Sequence, residues 1–408
     1  PVFAKRMRQN YTILAPQMAP IHFELVQQAA RLEGYRMEVL KEASKDDIEL
    51  GLKYVNNDSC YPSIIIIGQI LGALRSGRYD LEHTAVILSQ TGGPCRASNY
   101  LGLLKSALAT AGYANIPVIS LNTGGLGRSP GFKLTYPLIN KCLMAMIYGD
   151  LLMRLLHRVR PYEVQPGSAD RVLAAQMEAC RESLEKGGRR LFRQELKSIV
   201  REFEAIKTTN ITKPRVGLVG EILVKYHPAA NNDMAKFIES AGAEIVVPGL
   251  TEFFLYCAYG KQPARRYLSG SLIKQTLGDL SVRVIESFQD DMRHALFGSC
   301  FSAPQPIATL AKNVAPILSL CHQSGEGWLL TAEILELIEE GANNIICMQP
   351  FACLPNHITG KGMIKTIQDL SPNANIVTVD YDPGASEVNQ QNRIRLMLDR
   401  AGAKLESW

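Results

Sequence analysis

Hydrophobic and polar positions in the first third of the chain switch between two periods. Residues 11–16, 36–40, 84–90 and 117–122 are short runs of strand-forming residues. Residues 22–34, 46–57, 63–74 and 96–111 carry apolar side chains at helical spacing, and Gly34 closes the first of these helices. Strands separated by single helices require right-handed crossovers, and such crossovers build a parallel sheet.

At residue 132 the strand pattern stops. Residues 143–159 and 169–206 keep helical spacing, the second with many charges, and predict a helical connector. A second alternation begins at residue 213. It places strands at 215–219, 244–247, 344–348 and 376–379, and helices at 231–241, 251–259, 329–340 and 388–401. Residues 262–322 read as mainly helical. The predicted fold class is therefore α/β, with a lobe at 1–131, a helical connector at 132–212 and a second lobe at 213–408. The two lobes read as a loose duplication of one βαβ design.

Composition narrows the class. A chain of 408 residues suits two or three domains, and 46% hydrophobic with 20% charged residues is the balance of a globular protein. The net charge of +5 is small, and no basic run interleaved with aromatics points to nucleic acid. The longest apolar segment, at 64–67, is broken by Gly68 and Gln69, so no membrane span is expected. No export signal opens the chain, which starts at Pro1 as a processed or trimmed product or a piece of a longer polypeptide would. Nine cysteines, an odd number, then read as reduced cytoplasmic thiols and not as a disulfide framework.

Open parallel sheets bind ligands at the carboxyl ends of their strands. Cys95 follows the strand at 84–90 through Thr91-Gly92-Gly93-Pro94 and starts a helix. Cys353 follows the strand at 344–348 through Gln349-Pro350-Phe351-Ala352. Cys60 lies between two helices, in Asn57-Asp58-Ser59-Cys60-Tyr61-Pro62, a loop expected to cross the same edge of the first sheet. A helix N-terminus offers partial positive charge and free N–H groups, which predicts a lowered thiol pKa. Thiolates are the ligands of iron–sulfur clusters. Gly92 and Gly93 would let backbone N–H groups approach cluster sulfurs closely. Taken singly, each of the three cysteines reads equally well as a small buried hydrophobe. Their spacing is not local, and the metal reading depends on convergence from two lobes. Cys142, Cys180 and Cys257 lie on helical stretches and Cys347 inside a strand, where they read as packing residues. Cys300 and Cys321 stay open, Cys321 because it precedes the Gly325-Glu326-Gly327 turn.

Other polar candidates have two readings each. Glu326 is a base or a helix-cap partner, and His357 is a donor to a sulfur or substrate or else a turn cap. His227 reads as structural, and Asp380 and Asp382 as caps. No glycine-rich phosphate loop occurs, the nearest approach being Gly217-Leu218-Val219-Gly220-Glu221, so no ATP site is expected here.

Several long motifs resemble one family. They are Tyr54-Val55-Asn56-Asn57-Asp58-Ser59-Cys60-Tyr61-Pro62, Gln90-Thr91-Gly92-Gly93-Pro94-Cys95-Arg96, Gly325-Glu326-Gly327-Trp328, Gln349-Pro350-Phe351-Ala352-Cys353-Leu354-Pro355-Asn356-His357 and Val379-Asp380-Tyr381-Asp382-Pro383-Gly384-Ala385-Ser386-Glu387. Nearly the whole chain is similar to the last region of activator-fused 2-hydroxyglutaryl-CoA dehydratase activator proteins. Wider relatives are subunits of 2-hydroxyacyl-CoA dehydratases and benzoyl-CoA reductases, and double-cubane cluster proteins. The resemblance implies two flavodoxin-like (Rossmann-like) lobes with an iron–sulfur cluster between them, either 4Fe–4S or double-cubane 8Fe–9S. It implies Cys60, Cys95 and Cys353 as its ligands. It also implies an ATP-dependent activator of the actin and sugar-kinase type as partner, in a dimer or a fused multidomain chain. The mechanism class is injection of one low-potential electron for a difficult reduction, and no acyl-CoA signature identifies the substrate. Two alternatives stand beside it. One is a non-catalytic docking or scaffold module with a structural cluster or none. The other is a zinc site built from the same cysteines, for which no fourth ligand is obvious.

Overall fold

Strands with both faces covered read as unbroken apolar runs, because helices pack on each side of a parallel sheet. The computed structural model, which describes residues 1–41, 43–56, 59–90, 95–121 and 129–402, shows this at both sheet centres. Five of the six residues of the strand Thr84–Ser89 are buried, and six of the seven of Asn344–Pro350.

The first lobe contains the strands β1 (Thr12–Ala15), β2 (Arg36–Val39), β3 (Thr84–Ser89) and β4 (Val118–Leu121), all parallel, in the order β2-β1-β3-β4. Its helices are α1 (Pro20–Leu32), α2 (Lys45–Tyr54), α3 (Tyr61–Arg75) and α4 (Tyr100–Thr110). The start of α2 is fixed by a reciprocal cap. Ser44 Oγ accepts from the Asp47 amide at 3.1 Å while Asp47 accepts from the Ser44 amide at 2.8 Å. The isoleucine run of α3 is helical against its intrinsic preference because tertiary burial decides. Ile64, Ile65, Ile67 and Ile70 are each almost fully buried.

The connector consists of α5 (Tyr136–Val159), α6 (Ser168–Lys186) and α7 (Arg189–Glu204). The helical stretch expected at 169–206 is in fact two helices. Gly187 and Gly188, at φ 69° and 93°, break it by occupying backbone that other residues rarely adopt.

The second lobe repeats the first in topology. Its strands β5 (Arg215–Gly220), β6 (Glu244–Val246), β7 (Asn344–Pro350) and β8 (Asn375–Tyr381) run parallel in the order β6-β5-β7-β8. Its helices are α8 (Ile222–Tyr226), α9 (Met234–Ser240), α10 (Leu250–Tyr259), α11 (Lys261–Tyr267), α12 (Leu272–Leu296), α13 (Ile307–Val314), α14 (Gly327–Glu339), α15 (Leu354–Thr359), α16 (Ile364–Leu370) and α17 (Glu387–Arg400). The molecule is thus two flavodoxin-like lobes, as expected. One apolar core runs between them, joining Tyr61 and Ile65 of α3, Met146 and Met153 of α5, and Val216, Leu218 and Ile346 of the second sheet. A second core lies in the helical layer, where Phe288 and Met292 of α12 pack with Phe192, Leu196 and Phe203 of α7. Among the described residues no helix is long and apolar enough to cross a membrane.

Candidate functional site

In each sheet the strand order reverses between the first and third strands, and the crevice there is where doubly wound folds bind ligands. Cys95 and Cys353 lie beyond the ends of the two third strands, β3 and β7. Each caps the N-terminus of a short helical segment, Arg96–Asn99 and α15 respectively. Cys60 caps the N-terminus of α3. All three thiols are half-buried and unpaired.

Local geometry fixes each of them. The Cys60 carbonyl accepts from the Ser63 amide at 3.0 Å and the Ser63 hydroxyl at 2.7 Å. The Cys95 carbonyl is held in the same way by Ser98, at 3.0 and 2.7 Å. Cys60 Sγ lies 3.1 Å from the hydroxyl of Tyr100, the first residue of α4. Before Cys353, Ala352 adopts φ 56°, a left-handed backbone that costs a non-glycine residue energy and marks a constrained turn. The Cys353 amide then donates to the Pro350 carbonyl at 3.1 Å, and Asn356 Nδ2 donates to Cys353 Sγ at 3.3 Å.

Two carboxyls lie near these thiols. Glu221 directly follows β5, so it occupies the carboxyl end of the strand beside β7. Its side chain caps α8 by accepting from the Val224 amide at 2.9 Å. Glu326 precedes α14. Its two oxygens accept from the Ile222 amide at 3.1 Å and from Asn356 Nδ2 at 2.8 Å. Both carboxyls therefore meet at the first turn of α8, within the field of the cysteines. The glycine before Glu221 lets two strands approach closely. Gly220, at φ 137°, sits so close to β7 that a Cβ would fall 1.7 Å from the Met348 carbonyl oxygen.

Burial and nearby charges shift these groups. Burial pushes the Cys95 thiol up to about 11, and the charges of Glu326, Cys60 and Glu221 add to this. Burial also raises Cys353, with Glu326 and Glu221 contributing. Cys60 is raised by burial and by Glu221, against the Tyr100 hydrogen bond that favours its thiolate. Burial, then Glu326, takes the Glu221 carboxyl up to about 8, and burial raises Glu326. The lowered thiol pKa expected from the helix N-termini is thus reversed. Desolvation and like charges outweigh the helix-end effect.

The remaining candidates fall as follows. Gly92 and Gly93 lie outside the described residues. His357 Nδ1 is 2.9 Å from the Cys353 carbonyl, the geometry of a turn cap. Cys347 and Cys180 are fully buried packing residues, whereas Cys257 and Cys300 are exposed. Asp382 accepts from the Gly384 amide at 2.9 Å and serves a local turn, whereas Asp380, expected as a cap, lies inside β8 and accepts from Gln349 Nε2 of the neighbouring β7 at 2.7 Å. Glu221, Tyr100 and Asn356 are site residues that pattern reading did not single out. For Glu221 a signal existed, an acidic residue directly after an apolar strand. Among the described residues no group of three or more His, Cys, Asp or Glu is spaced to hold a metal ion. No protein-family model matches the chain, and no curated protein matches it.

Proposed function

We propose that this chain is the iron–sulfur cluster-carrying component of a low-potential reductase or dehydratase system, with Cys60, Cys95 and Cys353 as ligands. The observation that supports it most is that Asn356 Nδ2 joins Cys353 Sγ, at 3.3 Å, to the buried Glu326 carboxylate, at 2.8 Å, and that the charges of Glu326, Glu221 and Cys60 act on the Cys95 thiol from both lobes. Three largely buried thiols and two buried carboxyls near one another cannot all ionise without a compensating cation. The nearby Lys225 ammonium is committed elsewhere, to Glu333 at 2.8 Å. A cationic iron core is a group that this donor set would accept in exchange for its protons.

A bound cluster would supply one-electron chemistry at low potential. The chain's own residues set its surroundings. The Tyr100 hydroxyl and the Asn356 amide are positioned to donate to the sulfurs of Cys60 and Cys353, and such bonds tune potential. The interlobe packing of Tyr61 and Ile65 against the second sheet limits water on the inner side. The motif resemblance adds an ATP-dependent activator of the actin and sugar-kinase type as electron donor, acting in the reducing cytoplasm. The experiment is anaerobic iron and sulfide analysis of the purified chain, with visible absorbance. Iron and sulfide in equal amounts, with broad thiolate-to-iron charge-transfer bands, is the expected result. Zinc in their place, or a metal-free protein after reconstitution, would reject the reading in favour of a zinc site or a docking module.

A further inference from the structure

The helix α12 is apolar on two sides. Its inner side carries Val282 and Ile285, which pack on the cluster around Leu255 and Leu310, and Phe288 and Met292, which pack in the helical layer. Gly278 lets that side lie close to α10, since a Cβ there would fall 2.7 Å from the Ala258 carbonyl oxygen. The outer side carries Ile273, Leu277, Leu280 and Val284, which are between 42% and 72% exposed. Leu280 stands two positions from Gly278, roughly 200° around the helix, so this side faces away from the core. Spacings of four, three and four residues align the four side chains in one narrow stripe, the seam of a coiled coil.

A surface helix needs one apolar stripe to hold it to its own core, and a second marks an interface. We propose that the outer stripe of α12 is a dimer interface, occupied by the same stripe of a second copy running antiparallel. Three observations carry it. The spacing reads the same in both directions. A two-fold axis between residues 278 and 279 therefore sets Leu277 against Leu280 of the second copy and Ile273 against its Val284, and every layer is apolar. The flanks are compatible, because the same register places Lys274 beside Ser281 of the second copy and Thr276 beside its Arg283, so no like charges meet. The area is sufficient. Tyr267, Leu268 and Leu272 extend the exposed apolar surface at the start of the helix. At roughly 100 Å² each, about half of a large side chain, these seven residues offer about 700 Å² per copy, close to the roughly 800 Å² per partner of a standard interface. The pairing needs no cluster and stands whether or not the iron–sulfur reading does.

The test is sedimentation equilibrium of the full chain at micromolar concentration under reductant, with thermal unfolding of the same samples. Wild type should sediment at twice the mass of one chain. Leu277→Glu and Leu280→Lys should each sediment as monomers, because each buries an unpaired charge in the central layers. Both positions are exposed in the single chain, so both variants should keep its fold. Mixing the two variants should restore a dimer, since the antiparallel register sets the new carboxylate against the new ammonium and leaves the other central layer Leu against Leu. A parallel pairing would bring neither about. If either variant fails to fold, Leu277→Ser combined with Leu280→Ser takes its place and should also be monomeric. A monomeric wild type would overturn the proposal and leave the stripe to a different partner. A dimer that neither substitution dissociates would place the interface elsewhere, and a mixture that stays monomeric would overturn the antiparallel register.

Discussion

His22 Nε2 lies 2.8 Å from Asp150 Oδ1, and both side chains are almost fully buried where the first lobe meets the connector. The same carboxylate accepts from the amides of Leu250 at 2.6 Å and Thr251 at 3.1 Å, the first residues of α10. One aspartate thus binds α1, α5 and α10, and so both lobes. Replacing it by alanine strands two backbone donors and a histidine in the interior. Asp150→Ala should cost about 3–5 kcal/mol, the range for breaking a buried charged network. Urea unfolding checks it. A loss below about 1 kcal/mol would show that water replaces the carboxylate, a buried water offering similar hydrogen bonds.

Lys225 and Glu333 form a second buried pair, at 2.8 and 3.1 Å, linking α8 to α14. Burial raises the Glu333 carboxyl pKa, and Lys225 opposes this. Lys225→Met leaves a lone buried carboxyl and should destabilise by roughly 3 kcal/mol or more. Combining it with Glu333→Leu should recover most of that loss, because an apolar pair no longer pays desolvation. A double-mutant cycle by chemical denaturation measures the coupling. Simple additivity of the two changes would show that the ion pair is energetically silent.

His227 gives a pH signature. It is fully buried, neither ring nitrogen has a partner, and burial lowers its pKa to about 4. Unfolded, the ring binds a proton at about 6.5. Between those values the unfolded state holds more protons, so stability falls as pH drops from about 6.5 towards about 4. The full loss from this one group is about 3 kcal/mol. In His227→Leu the pH slope of unfolding free energy over that window should flatten by this amount. An unchanged slope would assign the acid sensitivity to other groups.

Much of the fold was readable because parallel strands and their helices leave strong periodic signals. The positions of β3 and β7, the helical connector and the turn placement of Cys95 and Cys353 all follow from those signals. What escaped had physical reasons. The five residues of α8 are too few to show a helical period, so Glu221 was read only as the end of the Gly217–Glu221 run. The helix expected at 231–241 begins only at Met234, because Asn232 and Asp233 take left-handed backbone, which short polar side chains tolerate. Tyr100 reaches Cys60 across 40 positions of sequence, and Asn356 reaches Glu326 across 30. Such contacts arise from how the elements pack, and no local pattern encodes them.

The cysteines themselves supply the last prediction. Cys60, Cys95 and Cys353 cap the starts of helical segments and are half-buried. Cys180 and Cys347 are fully buried on α6 and β7, packed among apolar neighbours. If thiolates hold a cluster, position decides which thiols matter. Cys60→Ser, Cys95→Ser and Cys353→Ser should each lower the iron retained after desalting several-fold, since serine is a poorer ligand for iron in these clusters. Cys180→Ser and Cys347→Ser should retain wild-type iron. Their cost should appear in stability, at roughly 1–3 kcal/mol, because a hydroxyl replaces a sulfur in an apolar site. Iron counting and thermal unfolding on the same samples separate the two effects. Full iron retention in Cys95→Ser would remove that residue from the ligand set. Loss of iron only in proportion to loss of folded protein, in all five variants, would show that these thiols act through stability alone.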